Sequence, residues 1–186
     1  MTGRTIVPDP TLAHVQSFCD RIVPGGAAQL VEHAPLPGKP EKECFSIVPE
    51  QVAAKGGSQL TGWCIWQVPG ILIEAEFHAV WQRPPDGRLI DITPRPVFLT
   101  QVLFLPDPKH QYMGRQIDNI RQPLVRDHDV TRYLFLLHRR FEMLNEGDLA
   151  DQHGLVSLGG KALRDYERLV KDVAQLERRL RRRYTP

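Results

Sequence analysis

The segment Ile73–Trp81 contains the densest run of residues that could do chemistry. Its composition predicts a β-strand, and side chains alternate between the two faces of a strand, so Glu74, Glu76 and His78 share one face. A histidine beside carboxylates can transfer protons or bind a metal ion, because its ordinary pKa lies close to neutrality. This segment is therefore the first candidate for a functional site.

A second strand, Arg88–Thr93, is predicted to return after a turn that contains proline and glycine. A four-residue loop would pair Val80 with Asp91, whereas a two-residue loop would pair Gln82 with Asp91. In both registers Asp91 lies on the same face as His78, one or two pairs away. We therefore expect Asp91 to orient His78 and to stabilise its imidazolium form.

Cys44 is the candidate nucleophile among three cysteines whose spacing indicates neither a disulfide framework nor a zinc ribbon. Cys19 and Cys64 lie in apolar segments, where we expect core residues. Cys44 precedes a helix that is predicted to begin near Ser46, and the unpaired amides and dipole of a helix N-terminus favour a thiolate. The alternative for Cys44 is a buried thiol without chemistry.

The order Cys44, His78, Asp91 is similar to that of the transglutaminase-like branch of the papain-like cysteine hydrolases. In that branch the Cys lies at a helix N-terminus, the His on a following strand and the Asp on the next. The resemblance covers Glu43–Pro94, about half of the chain. The motifs that resemble the family's His-Ala-Trp, glycine turn and Asp-x-Thr pattern are His78-Ala79-Val80-Trp81, Asp86-Gly87 and Asp91-Ile92-Thr93-Pro94.

This resemblance implies a cysteine-dependent acyl or amide hydrolase, transferase or deamidase that acts without a cofactor. Cys44 would attack the acyl carbon, His78 would move the proton, and Asp91 would orient His78. The backbone amide of Cys44 and an indole such as Trp63 would form the oxyanion hole, with Glu76 as a supporting group. The implied substrate is a protein or a peptide-like amide.

Two other functions remain open from the sequence. In the first, Glu74, Glu76 and His78 bind a metal ion, and a fourth ligand comes from Cys44 or Asp91. In the second, the protein is a non-enzymatic binding or assembly module. The strand residues would then be structural, and the long C-terminal helix would mediate self-association.

Size and composition indicate one globular domain with a substantial core, since the chain has 186 residues, of which 41% are hydrophobic and 25% charged. There is no apolar run of about 18 residues, and Met1–Pro10 lacks the apolar region of a signal peptide. We therefore predict a cytoplasmic protein without a membrane partner. A net charge of +2 gives no support for a nucleic-acid partner, and the basic run Arg178–Arg183 is interpreted as a solvated helix end.

The predicted fold is α+β, with a small, mainly antiparallel sheet over Gln59–Leu105. Residues 1–157 are predicted to form one α+β domain, and the basic amphipathic helix in 158–186 either packs on it or forms a homodimer. The segment 106–127 gives no clear pattern. The predicted helices are Asp9–Ile22, Ala27–His33, Ser46–Lys55, Asp129–Leu144 and Leu158–Tyr184.

Overall fold

The computed structural model describes residues 5–147 and 158–184. The strands in this part of the chain are β1 (Gln29–His33), β2 (Ser58–Val68), β3 (Leu72–Gln82), β4 (Leu89–Asp91), β5 (Gln101–Pro106) and β6 (Ile120–Pro123). The helices are α1 (Ala13–Ile22), α2 (Cys44–Lys55), α3 (His128–Leu144) and α4 (Gly160–Tyr184). The predicted α+β class is confirmed.

The sheet closes on itself, which corrects the prediction of a simple, mainly antiparallel sheet. The strands follow the order β2-β5-β1-β4-β3, and β2 pairs with β3 to complete a five-stranded barrel. β6 adds to β3 outside this ring, and β1 pairs in parallel with β4. Closure requires β5 to approach β2 at Gly62, where a Cβ atom would lie 2.3 Å from the carbonyl oxygen of Leu105.

The N-terminal half of the chain contains one wrong prediction and one shift of a boundary. The helix predicted over 27–33 is wrong, because that segment contains β1, whose backbone pairs with β5 on one side and β4 on the other. Tertiary pairing decides the structure of this short segment against its local pattern. α1 begins only at Ala13, since Asp9 forms a turn in which its carboxylate accepts hydrogen bonds from Thr11.

The hairpin of β3 and β4 has the register of the four-residue loop. Trp81 lies opposite Ile90, and the amide of Arg83 donates to the carbonyl of Arg88 at 2.9 Å. Because there is no bulge to change the alternation, Asp91 stays on the face of His78, as predicted.

One edge of β3 is interrupted. Along its other edge β3 pairs with β2 over its whole length, from Leu72 to Gln82. Along the interrupted edge, Leu72–Ala75 pairs with β6 and Trp81–Gln82 pairs with β4. Among the described residues no strand pairs with Glu76–Val80 on this side, and we call this gap the β3 window.

The two faces of β3 belong to different parts of the core. Its outward face packs against α2, where Cys44, Ile47 and Val48 contact Ala79 and Trp81. Its inward face contributes to the barrel interior, and the apolar part of that interior comprises Val31, Cys64, Trp66, Val80, Val102 and Phe104. The N-terminus of α2 therefore lies outside the barrel, against the same strand that carries His78 inside.

The two C-terminal helices pack against each other through Leu136, Leu169, Val173 and Leu176. Near its end, α4 also contacts the β2–β3 turn through Leu180. Self-association through α4 stays a prediction, and the expected boundary at residue 157 lies outside the described residues. No helix in the described part of the chain combines the length and the apolar character needed to cross a membrane.

Candidate active site

His78 and Asp91 form a buried hydrogen-bonded pair inside the barrel. Nε2 of His78 lies 2.9 Å from Oδ1 of Asp91, and the two residues are 2% and 0% exposed. The same carboxylate oxygen accepts the amide of Thr93 at 3.1 Å. Because a carboxylate only accepts hydrogen bonds, Nε2 is the protonated nitrogen, and Nδ1 is left to act as a base.

Arg95 is the cation at the centre of this network. Its Nη1 donates to Oε2 of Glu76 at 2.9 Å, and its Nε lies 3.4 Å from Oδ2 of Asp91. The guanidinium carbon stands 4.7 Å from the centre of the Trp66 ring, a cation–π distance. Burial alone would raise the pKa of Asp91, but His78 and Arg95 hold it well below its ordinary value. Asp91 is therefore ionised at neutral pH.

Asp91 determines the tautomer of His78, although Arg95 also lies beside Nε2. Nη2 of Arg95 lies 3.5 Å from Nε2 of His78, and a guanidinium can only donate. An unprotonated Nε2 would place its lone pair against the Asp91 carboxylate 2.9 Å away, which is repulsive. With the proton on Nε2, both Arg95 and His78 direct their donors towards Asp91.

Neighbouring negative charges favour the protonated form of His78. Burial alone would lower its pKa, but the charged forms of Cys64 and Cys44, together with Asp91, raise it well above its ordinary value. Burial raises the pKa of the Cys64 thiol to about 12, so Cys64 is neutral near pH 7. Asp91 is thus the group that stabilises an imidazolium at neutral pH.

Cys44 and His78 line the same cleft, which has a volume of about 250 Å³. Glu76 and Phe77 also line it, so the cleft reaches the inside of the barrel through the β3 window. Cys44 is the first residue of α2, two positions before the expected helix start, and is 3% exposed. The cleft therefore connects the side chain of Cys44, outside the barrel, with that of His78 inside it.

The first turn of α2 offers amide donors beside Cys44. The carbonyl oxygen of Glu43 accepts the amides of Ser46 and Ile47, at 3.1 and 3.0 Å. The remaining amides of this turn, those of Cys44 and Phe45, make no hydrogen bond within the described part of the chain. Together with the helix dipole, they can stabilise negative charge at this point.

An aromatic stack forms one wall of the cleft. The ring of Phe45 lies 5.1 Å from that of Phe77 and 4.0 Å from that of Tyr112, measured between centroids. Tyr112 comes from the segment 106–127, for which the sequence gives no assignment. The stack fixes the residue next to Cys44 against β3, and thus limits the movement of the thiol.

Trp63 and Glu76, the two supporting residues expected from the sequence, have different surroundings. The indole of Trp63 donates to Oδ2 of Asp107 at 3.1 Å and is buried, so its N–H is already engaged. Glu76 lines the cleft and accepts the indole N–H of Trp66 at 2.8 Å as well as Arg95. Glu76 therefore lies beside His78 and connects it to Arg95.

The carboxylates of the expected metal set are engaged with arginines. Glu74 accepts Arg121 at 3.3 Å, and Glu76 accepts Arg95 at 2.9 Å. Among the described residues, the donor atoms that come within 4.8 Å of one another belong to Cys64, His78 and Asp91. Nη2 of Arg95 lies 3.6 Å from Sγ of Cys64, so this group already contains a cation. These features argue against a metal ion there.

Sequence reasoning predicted the placement of His78 beside Asp91 but not the parts played by Arg95, Cys64 and Tyr112. Arg95 lies between two prolines after β4, and no motif marks it. The sequence signal for Arg95 is a balance of charge, because Glu76 and Asp91 on a shared inward face require a buried cation.

Comparison with protein families, curated proteins and solved structures finds no match for this chain.

Proposed function

We propose that the protein is a cysteine-dependent acyl or amide hydrolase, transferase or deamidase of transglutaminase-like type. The observation that carries the proposal is that Cys44 and His78 line one cleft while Asp91 lies 2.9 Å behind His78. Nucleophile, base and orienting group thus follow one another in the order that covalent catalysis needs.

The reaction begins with transfer of the Cys44 proton to Nδ1 of His78. The thiolate attacks the substrate's carbonyl carbon, and a carbon–sulfur bond forms while the carbonyl oxygen becomes an oxyanion. His78 then gives its proton to the leaving amine or alkoxide, and the bond between this group and the acyl carbon breaks. Water or an amine attacks the thioester in the same way and regenerates Cys44.

The protein supports these steps with fixed charges. The free amides at the start of α2 donate to the oxyanion. They therefore supply the hydrogen bonds that the sequence analysis expected in part from the indole of Trp63. Asp91, held ionised by Arg95, stabilises the imidazolium that forms on His78. A protein or peptide-like amide is the proposed substrate class.

The rate of Cys44 alkylation by iodoacetamide, measured against pH by peptide mass spectrometry, tests the thiolate–imidazolium pair. We expect a midpoint well below the free-thiol value of about 8.5 in the wild type, and its loss in His78→Ala. Cys19 and Cys64 are internal controls, because burial raises the pKa of these thiols to about 11 and about 12. His110→Ala is the matched variant, since His110 packs against Phe77 without contacting Asp91.

Acylation provides the second readout. Intact-mass analysis after addition of p-nitrophenyl acetate should show one acyl group on Cys44, with rapid release of p-nitrophenol, and none in Cys44→Ala. Addition of cadaverine then distinguishes transfer to an amine from hydrolysis. A Cys44 that reacts only after unfolding would end the nucleophile hypothesis.

A further inference from the structure

The cleft at Cys44 continues into a second hollow of about 310 Å³, and Lys42 lines both. Gln116, Ile117 and Asn119 also line both, so the two hollows form one groove. α3 forms the far wall of the second hollow with Leu137, Phe141 and Leu144, and places Arg140 beside them. The groove thus runs from a thiol to an apolar wall with cations around it.

The charges at this far end do not balance. Its charged residues are Lys42, Asp118, Arg121 and Arg140, which we call the basic end. Asp118 accepts Arg121 at 2.9 Å, and it also lies 2.8 Å from His138. Lys42 and Arg140 form no ion pair within the described ranges 5–147 and 158–184. Lys42 and Arg140 also line an adjoining hollow that contains Glu74, Glu76 and Glu177. These carboxylates pair with Arg121, Arg95 and Arg181, so the charges of Lys42 and Arg140 stay available to a ligand at the basic end.

The backbone at Lys42 has a conformation that is unusual for a lysine. Lys42 has a φ of 63°, and in the described part of the chain it is the one non-glycine residue with positive φ. This conformation is unfavourable for a side chain other than that of glycine, asparagine or aspartate. Strained residues of this kind concentrate at functional sites. Its amide donates to the carbonyl of Pro94 at 3.2 Å, which fixes the lysine two residues before Cys44.

We infer that the substrate carries a carboxylate that binds between Lys42 and Arg140 while its acyl carbon reaches Cys44. The part of this inference that concerns the acyl carbon at Cys44 rests on the proposed function. Glu43 lines the Cys44 end of the groove and would repel an anion there, so the carboxylate lies beyond Lys42. The apolar wall of α3 accommodates the methylene groups that separate the carboxylate from the acyl carbon. The substrate class is thus an acyl compound with a free carboxylate a few carbons away.

Calorimetric titration of Cys44→Ser with glutaramate and with neutral glutaramide tests the carboxylate site without any reaction. We expect glutaramate to bind about tenfold more tightly, and the preference to shrink at high ionic strength. Lys42→Gln/Arg140→Gln should remove the preference, and each single variant should remove part of it. Arg132→Gln is the matched control, because Arg132 is an exposed arginine of α3 away from the groove. Equal binding of the two compounds would overturn the inference.

Acylation of wild-type Cys44 by glutaryl and valeryl p-nitrophenyl esters connects this site to the reaction. The glutaryl ester should react about tenfold faster, and the double variant should lower only the glutaryl rate. Selective binding of glutaramate without acylation would retain the carboxylate site and contradict the proposed function. Acylation at equal rates would retain the proposed function and overturn the carboxylate site.

Discussion

Two of the protein's arginine–carboxylate networks have opposite surroundings. In the barrel, Arg95 contacts Asp91 and Glu76, and the side chains of Arg95 and Asp91 are 2% and 0% exposed. At the start of α3, Arg179 of α4 approaches Asp129 at 3.2 Å, and here the arginine side chain is 51% exposed. The chemical groups are the same, but in the first network the arginine and Asp91 are closed off from water, and only Glu76 reaches the cleft.

This difference separates the roles of the two networks. Exposed pairs contribute little stability because water and salt screen them, and the pairs that Arg179 and Arg183 form at α3 belong to this class. The buried network has a high desolvation cost, and an apolar replacement is often as stable. Its retention is explained if Asp91 holds His78 in one tautomer and Arg95 keeps Asp91 ionised.

Arg95→Met should give the largest effect, because it leaves two carboxylates without their cation. We expect a loss of about 3–5 kcal/mol in the free energy of unfolding, measured by urea denaturation at pH 7. The second change Glu76→Gln should restore part of this loss by removing one unpaired charge. Arg179→Met, the matched change in the exposed network, should cost less than about 1 kcal/mol. Equal costs for both arginines would remove the distinction between the networks.

Asp91→Asn should slow acylation of Cys44 by about 10²–10³-fold, somewhat less than such changes cost in serine hydrolases. An amide stabilises the imidazolium less and permits the wrong tautomer of His78. Stopped-flow release of p-nitrophenol measures the rate, and the alkylation midpoint of Cys44 should rise in parallel. A structural role alone would lower stability and leave that midpoint in place.

Acid should lower the stabilisation that the barrel network provides, and the loss per pH unit should be smaller than the effects of the substitutions above. Burial alone would raise the pKa of both Asp91 and Glu76, but Arg95 and His78 hold both below their ordinary values in the folded protein. Since the folded state binds fewer protons than the unfolded state, this stabilisation is complete above the unfolded carboxyl pKa of about 4. It decreases as the pH falls further, by roughly 1.4 kcal/mol per unit for each carboxyl.

Urea denaturation between pH 7 and pH 2 provides the measurement for this acid dependence. Asp91→Asn should decline less steeply than the wild type below about pH 4, because one of the shifted carboxyls is gone. Identical slopes in the two proteins would mean that Asp91 does not carry the pH dependence.

The local parts of the site were predictable from sequence, and the long-range parts were not. Alternation along β3 and the turn before β4 were enough to bring His78 and Asp91 together. The start of α2 was predicted two residues too late, because Pro49 was assigned to the first turn and lies further inside the helix. Closure of the barrel depends on the close approach at Gly62 and on the pairing of β1 with β4 and β5. No local sequence pattern predicts either of them. Arg95 was missed for the same reason, since its partners are distant in sequence or on another strand.

The β3 window determines whether the barrel must open before a ligand can reach His78. A ring of strands paired along every edge would enclose His78, and a substrate could meet it only after the barrel opened. Here β6 and β4 pair with β3 on either side of Glu76–Val80, so the opening is present in the folded structure without any movement of the strands. Under the proposed function, turnover needs no global unfolding step, and amide hydrogen exchange of β2 and β3 should stay slow in the presence of substrate.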